Sequence, residues 1–209
     1  MITPSYPKPD TPNPTPHTSH PSPHTPHLIM RIIQGKNKGR HIQAPASLPV
    51  RPTTDLGKES LFNILNNYFH FDRVTALDLF AGTGNISYEF ASRGAIAVTA
   101  VDNYQGCTDF IRKTAEKLQF DNLSVIRGDA FAFVERSRQK FDIIFADPPY
   151  DLVGLEKIVA HIFENQLLNP SGWLVLEHPR EYDFSQHPNF YEHRKYGKLN
   201  FTFLVNFET

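Results

Sequence analysis

The sequence predicts an α/β fold: a mostly parallel sheet closed at one edge by an antiparallel hairpin. Three observations predict it. From Val74 to Glu177, short apolar runs alternate with amphipathic stretches, the pattern of strands joined by helical crossovers. Acidic residues recur at the carboxyl ends of the first four runs, where open α/β sheets bind ligands. The last two runs flank Gly197 with no room for a crossover between them, so they pair antiparallel.

Composition sets the frame. A chain of 209 residues can bury the core of a single domain. One cysteine cannot form an internal disulfide, which points to a reducing, cytoplasmic setting. No apolar run approaches the roughly 18 residues of a membrane span, and the N-terminus lacks the apolar core of a signal peptide. A net charge of −1 leaves a nucleic-acid partner neither required nor excluded.

Residues 1–29 form a Pro/Thr/His-rich tail, expected to be disordered or loose polyproline II. His17, His20, His24 and His27 have metal-like spacing but no cysteine or scaffold beside them, so no metal is expected. The break at residues 28–30 predicts that the tail is dispensable. It has two candidate origins: an in-frame upstream start codon before Met30, or a flexible arm that grips a partner. The rest, 30–209, is expected to be one domain, with an N-terminal hairpin and helix (30–70) and a core (74–209).

Residues 30–33 and 40–42 read as strands around a turn at 36–39. Arg31, Lys36, Lys38 and Arg40 make this hairpin basic, and Arg51 and Lys58 follow. Such a patch is a candidate phosphate-binding surface; a hairpin kept soluble by charge fits equally. Leu61, Ile64, Leu65, Tyr68 and Phe69 fall on one helical face, with Thr54 or Asp55 as N-cap.

The core follows in regular order. Residues 75–80 are a strand, 81–85 a tight Gly turn, and 86–93 a helix that Gly94 ends. Residues 96–101 are the next strand. Cys107, Phe110, Ile111, Ala115 and Leu118 mark a helix face, with Cys107 in the core. A strand at 123–126 leads through Gly128, Asp129 and Ala130 into a short helix. Residues 141–146 are a buried strand that runs into Asp147-Pro148-Pro149-Tyr150. Leu155, Ile158, Val159, Ile162 and Phe163 mark another helix, with Asp151 as its expected N-cap. A turn at 169–172 precedes a strand at 173–177 that carries Trp173. Strands at 190–196 and 199–207 end the chain.

The strand ends carry the chemistry. Asp78 lies with Gly82 and Gly84 at the first, Asp102 at the second, Asp129 at the third and Asp147 at the fourth. Any one alone reads as a helix cap; four in register point to a site. The Gly turn lets a ligand approach the backbone, Asp102 is placed for ribose hydroxyls, and Asp129 for an adenine amino group. The glycine fingerprint for a pyrophosphate is incomplete, since Ser87 holds the third position. An acid-rich pocket suits the sulfonium of S-adenosylmethionine better than a dinucleotide. Asp147, a backbone carbonyl freed by two prolines and the ring of Tyr150 suit a planar base with an exocyclic amine.

The order Asp78-Leu79-Phe80-Ala81-Gly82-Thr83-Gly84, Asp102, Gly128-Asp129-Ala130 and Asp147-Pro148-Pro149-Tyr150 resembles class I methyltransferases that act on exocyclic amines. Residues 30–36, Gly39-Arg40, Arg51-Pro52-Thr53-Thr54-Asp55 and Glu59-Ser60-Leu61-Phe62-Asn63 narrow the resemblance to the bacterial 16S ribosomal RNA guanine-N2 methyltransferases of the RsmD type. Gln34 and Gly57-Lys58 depart from the family pattern, and the tail has no counterpart in it.

The resemblance implies a Rossmann-like class I methyltransferase sheet and S-adenosylmethionine as cofactor, with no metal. It implies cofactor contacts from Asp78, Phe80, Gly82, Thr83, Gly84, Asp102, Asn103, Asp129 and Ala130, and catalysis by Asp147, Pro148, Pro149 and Tyr150. The partner implied is 16S ribosomal RNA within a small-subunit particle, held by Arg31, Lys36, Lys38, Arg40 and Arg51. A monomer is expected. The alternative is an exocyclic-amine methyltransferase of DNA or another RNA, at adenine N6 or cytosine N4. Ser87 disfavours a nicotinamide oxidoreductase, and a plain RNA-binding module has no use for Asp147 beside a nucleoside pocket.

Overall fold

The computed structural model describes residues 28–50, 53–197 and 199–207. The tail residues 1–27, Arg51 and Lys198 lie outside the described residues.

A two-stranded antiparallel ribbon, β1 (Leu28–Arg31) and β2 (His41–Ala44), precedes α1 (Asp55–Leu65). The core then runs β3 (Thr75–Leu79), α2 (Asn85–Ser92), β4 (Ala97–Asp102), α3 (Gln105–Leu118), β5 (Leu123–Arg127), α4 (Ala130–Arg136), β6 (Phe141–Ala146), α5 (Leu155–Glu164), β7 (Leu168–Glu177), β8 (Phe190–Tyr196) and β9 (Leu199–Val205). The seven-stranded sheet has the order β5-β4-β3-β6-β7-β9-β8. Its β3–β7 part is parallel, while β9 pairs antiparallel with both β7 and β8. The order reverses between β3 and β6, which places a ligand crevice at their carboxyl ends.

Strand parity divides the core. Ile143, Phe145, Trp173 and Val175 point to the face covered by the ribbon, α1, α2 and α3. Ile144, Ala146, Leu174 and Leu176 point to the face covered by α4 and α5. Each large side chain buried this way contributes roughly 1.5–3 kcal/mol. Cys107 is buried in the first cluster, and burial pushes its thiol up to about 12.

Several elements differ from the expectation. β1 begins at Leu28, ahead of Met30. α1 keeps its Thr54 cap, whose hydroxyl accepts the Gly57 N–H, but stops at Leu65. Tyr68 and Phe69 instead leave the helix and pack on Trp173. The expected turn at 169–172 is absorbed into β7, and the register with β6 shifts between Phe141 and Ile143. Gly154, at φ +91°, caps α5 in place of Asp151.

Candidate active site

β3 delivers the chain into a turn with three left-handed residues, Phe80, Gly82 and Gly84. At Gly84 a Cβ would meet the Tyr88 ring at 2.8 Å, so no larger residue fits. Phe80, a bulky residue at φ +63°, is a strained position of the kind that gathers at functional sites. Asp102 holds the turn: its Oδ2 accepts the Gly82 N–H and its Oδ1 the Tyr104 N–H, both at 2.8 Å. Each oxygen keeps another lone pair for a ribose hydroxyl. Burial raises the Asp102 carboxyl despite these bonds.

Asp78 lies beneath the turn and accepts a hydrogen bond from the Ser87 hydroxyl. Burial pushes it up to about 7; the Ser87 bonds oppose this, and the charges of Asp147 and Asp102 add to it. Thr83 is not open to a ligand through its side chain, because its buried hydroxyl faces the Met30 sulfur at 3.0 Å. Asp129 caps α4: its Oδ1 accepts the Ala132 N–H at 2.9 Å. The helix-cap reading therefore holds at Asp129, with Oδ2 left for other use. Ala130 is buried, and Asn103 is exposed.

Across the crevice, β6 ends at Ala146. Asp147 is half-buried, Pro148 buried and Pro149 exposed. Pro149 accepts the Leu152 N–H, which closes the turn. Tyr150 is 63% exposed. Burial and electrostatic repulsion within its pair with Glu177 hold the Asp147 carboxyl well above the usual range. Burial likewise pushes Glu177 up to about 7. Glu177 went unnoticed in the sequence, although it repeats the same signal, an acid at a strand end.

The segment before α1 also escaped notice. Val50 would stand 3.7 Å from a Cβ at Gly82, and Leu48 3.2 Å from one at Gly106. The 45–50 stretch therefore forms a wall over the Gly turn and the start of α3.

The basic patch is corrected most. Lys58 is 0% exposed, so it offers nothing to phosphate. Its Nζ donates to the Arg31 carbonyl and to Asn85 Oδ1, both at 2.6 Å, and stands 3.8 Å from Glu89. Burial lowers its pKa, against the pull of Glu89 and Asp55. Arg31 pairs with Asp55 and Glu59 across the ribbon–α1 junction, so its charge is shared with two carboxylates. The ribbon runs along α2: the Ile33 and Gln34 N–H groups bond Glu89, and the Lys36 and Asn37 N–H groups reach Ser92. Lys36 and Lys38 therefore sit at the far end of α2, one helix length of about 12 Å from the Gly turn. Arg40 is exposed beside them.

This arrangement can hold S-adenosylmethionine. The left-handed Gly turn leaves room against the backbone, Asp102 offers lone pairs, and the acids suit a cation. A Gly turn and a proline-stiffened acid at the carboxyl ends of β3 and β6, where the strand order of a mostly parallel sheet reverses, define a class I methyltransferase. A family model described as "Conserved hypothetical protein 95" matches residues 30–205, and the chain belongs to that family. It is 32% identical over 148 residues to the "Ribosomal RNA small subunit methyltransferase D" of Escherichia coli K12, covering 71% of each chain. It is 36% identical over 161 residues to YlbH of Bacillus subtilis, covering 75% of this chain and 86% of that one. The solved structure of yhhF from Escherichia coli superposes with a TM-score of 0.76 at 25% identity, over 87% of this chain and all of that one.

Among the described residues, no helix is long and apolar enough to cross a membrane.

Proposed function

We propose that this protein methylates the exocyclic N2 of a guanine in 16S ribosomal RNA, using S-adenosylmethionine. One observation carries the reading: Asp147, stiffened by Pro148 and Pro149 and flanked by exposed Tyr150, follows β6 beside the point where β3 enters the Gly turn, in a relative of a small-subunit methyltransferase. When bound, S-adenosylmethionine supplies a methyl group on a sulfonium.

The chain's own residues do the rest. Asp102 takes the ribose hydroxyls; Asn103, Asp129 and Ala130 border the adenine. Phe80, Gly82, Thr83 and Gly84 shape the floor through their backbone, and Asp78 adds negative charge beneath it. Asp147 and the Pro148 carbonyl accept the two N–H bonds of the guanine amine. That draws its lone pair out of the ring and stabilises the positive charge that develops on nitrogen. Tyr150 stacks on the extruded base, contributing about 1–3 kcal/mol.

The exposed Lys36, Lys38 and Arg40 bind phosphate at a distance from the site, with Arg31 nearer to it and Arg51 a further phosphate ligand. A surface of this kind reads shape more than sequence. In this reading the enzyme is a cytoplasmic monomer that acts on the small-subunit particle, the domain begins with β1 at Leu28, and residues 1–27 are dispensable. The test is transfer of labelled methyl groups. We expect incorporation into small-subunit particles and little into a short naked RNA of the same sequence. Equal rates on both would refute the particle, and no incorporation into either would refute the activity.

A further inference from the structure

One buried acid beside the site has no part in the chemistry described so far. Glu177 ends β7, is 3% exposed, and its Oε2 has no hydrogen-bond partner. A buried carboxylate oxygen with no donor is costly, and native structures rarely keep one without a purpose.

Its surroundings narrow that purpose. On the β9 side Glu177 is in register with Phe201, and the Asn200 side chain is committed to the His178 carbonyl. Along its own strand, the His178 ring bonds Pro179 and Thr202. On the β6 side, Leu176 is in register with Ala146, so Glu177 and Asp147 are the next residues of neighbouring strands, about 4.8 Å apart in the sheet. Parity turns Glu177 to the face of Trp173 and Val175, which is also the face of Asp78 and Phe145. The charges that face the pair are those of Asp147 and Glu177 themselves, with Asp78 behind on β3; among the described residues no cation offsets them.

We propose that Glu177 is a positioning residue: it keeps a proton, donates it as a hydrogen bond to Asp147, and so aims a single negative charge at the substrate amine. The inference rests on the reading of Asp147 as the amine acceptor. Two adjacent carboxyls removed from water do not both ionise near neutrality, so the pair titrates as a unit.

The proton count follows. The amine nitrogen bonds the methyl carbon, and the sulfur keeps the electron pair of the bond that breaks. The proton that nitrogen sheds goes to the second oxygen of Asp147. The pair is then neutral with two protons, and one leaves to water. At high pH Glu177 loses its own proton, the donor is lost, and repulsion turns Asp147 away from the amine.

The experiment uses Glu177→Gln, which keeps a donor, and Glu177→Ala, which removes it. Single-turnover methyl transfer is measured against pH, and carboxyl NMR titration is recorded on the free full-length protein. We expect Glu177→Ala to lose more than about tenfold in rate through misorientation of Asp147, with S-adenosylhomocysteine affinity unchanged. Glu177→Gln should restore most of that loss and abolish the alkaline fall of the rate. The wild-type Glu177 carboxyl should remain protonated at about pH 6, well above the ordinary range. An intact alkaline limb in Glu177→Gln, or a Gln variant as slow as the Ala variant, would overturn the proposal. If the wild type transfers no methyl group to RNA, the parent reading fails, and the carboxyl titration decides the pair alone: a Glu177 already ionised at about pH 6 overturns it.

Discussion

Asp78→Asn should stabilise the fold at alkaline pH and weaken the cofactor. The folded Asp78 carboxyl is raised from 3.8 to about 7, chiefly by burial. The folded state thus binds this proton more tightly than the unfolded chain. The stability linked to it is full below about pH 4, falls as pH rises, and levels off above about pH 7. A shift of roughly three units at 1.36 kcal/mol each makes that loss about 4 kcal/mol. Asparagine has no charge to desolvate, and its carbonyl still accepts from Ser87. Urea unfolding of both proteins between about pH 5 and pH 8.5 gives a difference curve that isolates the term. We expect the variant to gain stability relative to the wild type up to about pH 7 and to hold that gain above it. At the alkaline end, calorimetry should show cationic S-adenosylmethionine weakened more than neutral S-adenosylhomocysteine, since the variant removes negative charge. A flat difference curve would refute the buried-charge argument, and equal weakening of both ligands would refute the assignment of Asp78 to the sulfonium field.

Three further outcomes follow from the same geometry. Lys58→Ala leaves Asn85 Oδ1 and the Arg31 carbonyl without their buried donor, while Glu89 keeps Arg93, and should cost about 1–3 kcal/mol in urea unfolding; no measurable change would show that the ribbon does not depend on it. Asp102→Ala removes both the brace of Gly82 and the ribose acceptor, so S-adenosylhomocysteine affinity should fall markedly, and unchanged calorimetric affinity would sink the assignment. A chain starting at Leu28, the first residue of β1, should keep the thermal stability and methylation rate of the full chain, whereas a clear loss of either would give the upstream residues a role.

The parallel sheet and its acidic strand ends were legible because apolar runs and crossovers leave periodic traces. Thr75–Leu79 and Phe141–Ala146 fall close to where those traces place them. What the sequence hides is which side chains face one another. Lys58 reads as surface charge because its buried partners, Asn85 and Glu89, lie about 30 residues further along. Arg31 reads as a phosphate ligand because Asp55 and Glu59 meet it only once the ribbon docks on α1. Glu177 reads as the end of a strand until the β6–β7 register sets it beside Asp147. Asp129 shows the local role that any one of these acids suggests on its own: its Oδ1 caps α4.

The central claim is that Asp147 serves methyl transfer to one guanine N2 of 16S ribosomal RNA. Its most direct test is mass mapping of modified nucleotides in 16S RNA from cells that lack the protein. The account predicts that a single guanine loses its N2 methyl group, that the wild-type protein restores it, and that a folded Asp147→Ala variant does not. An unchanged modification map, or restoration by Asp147→Ala, would contradict it.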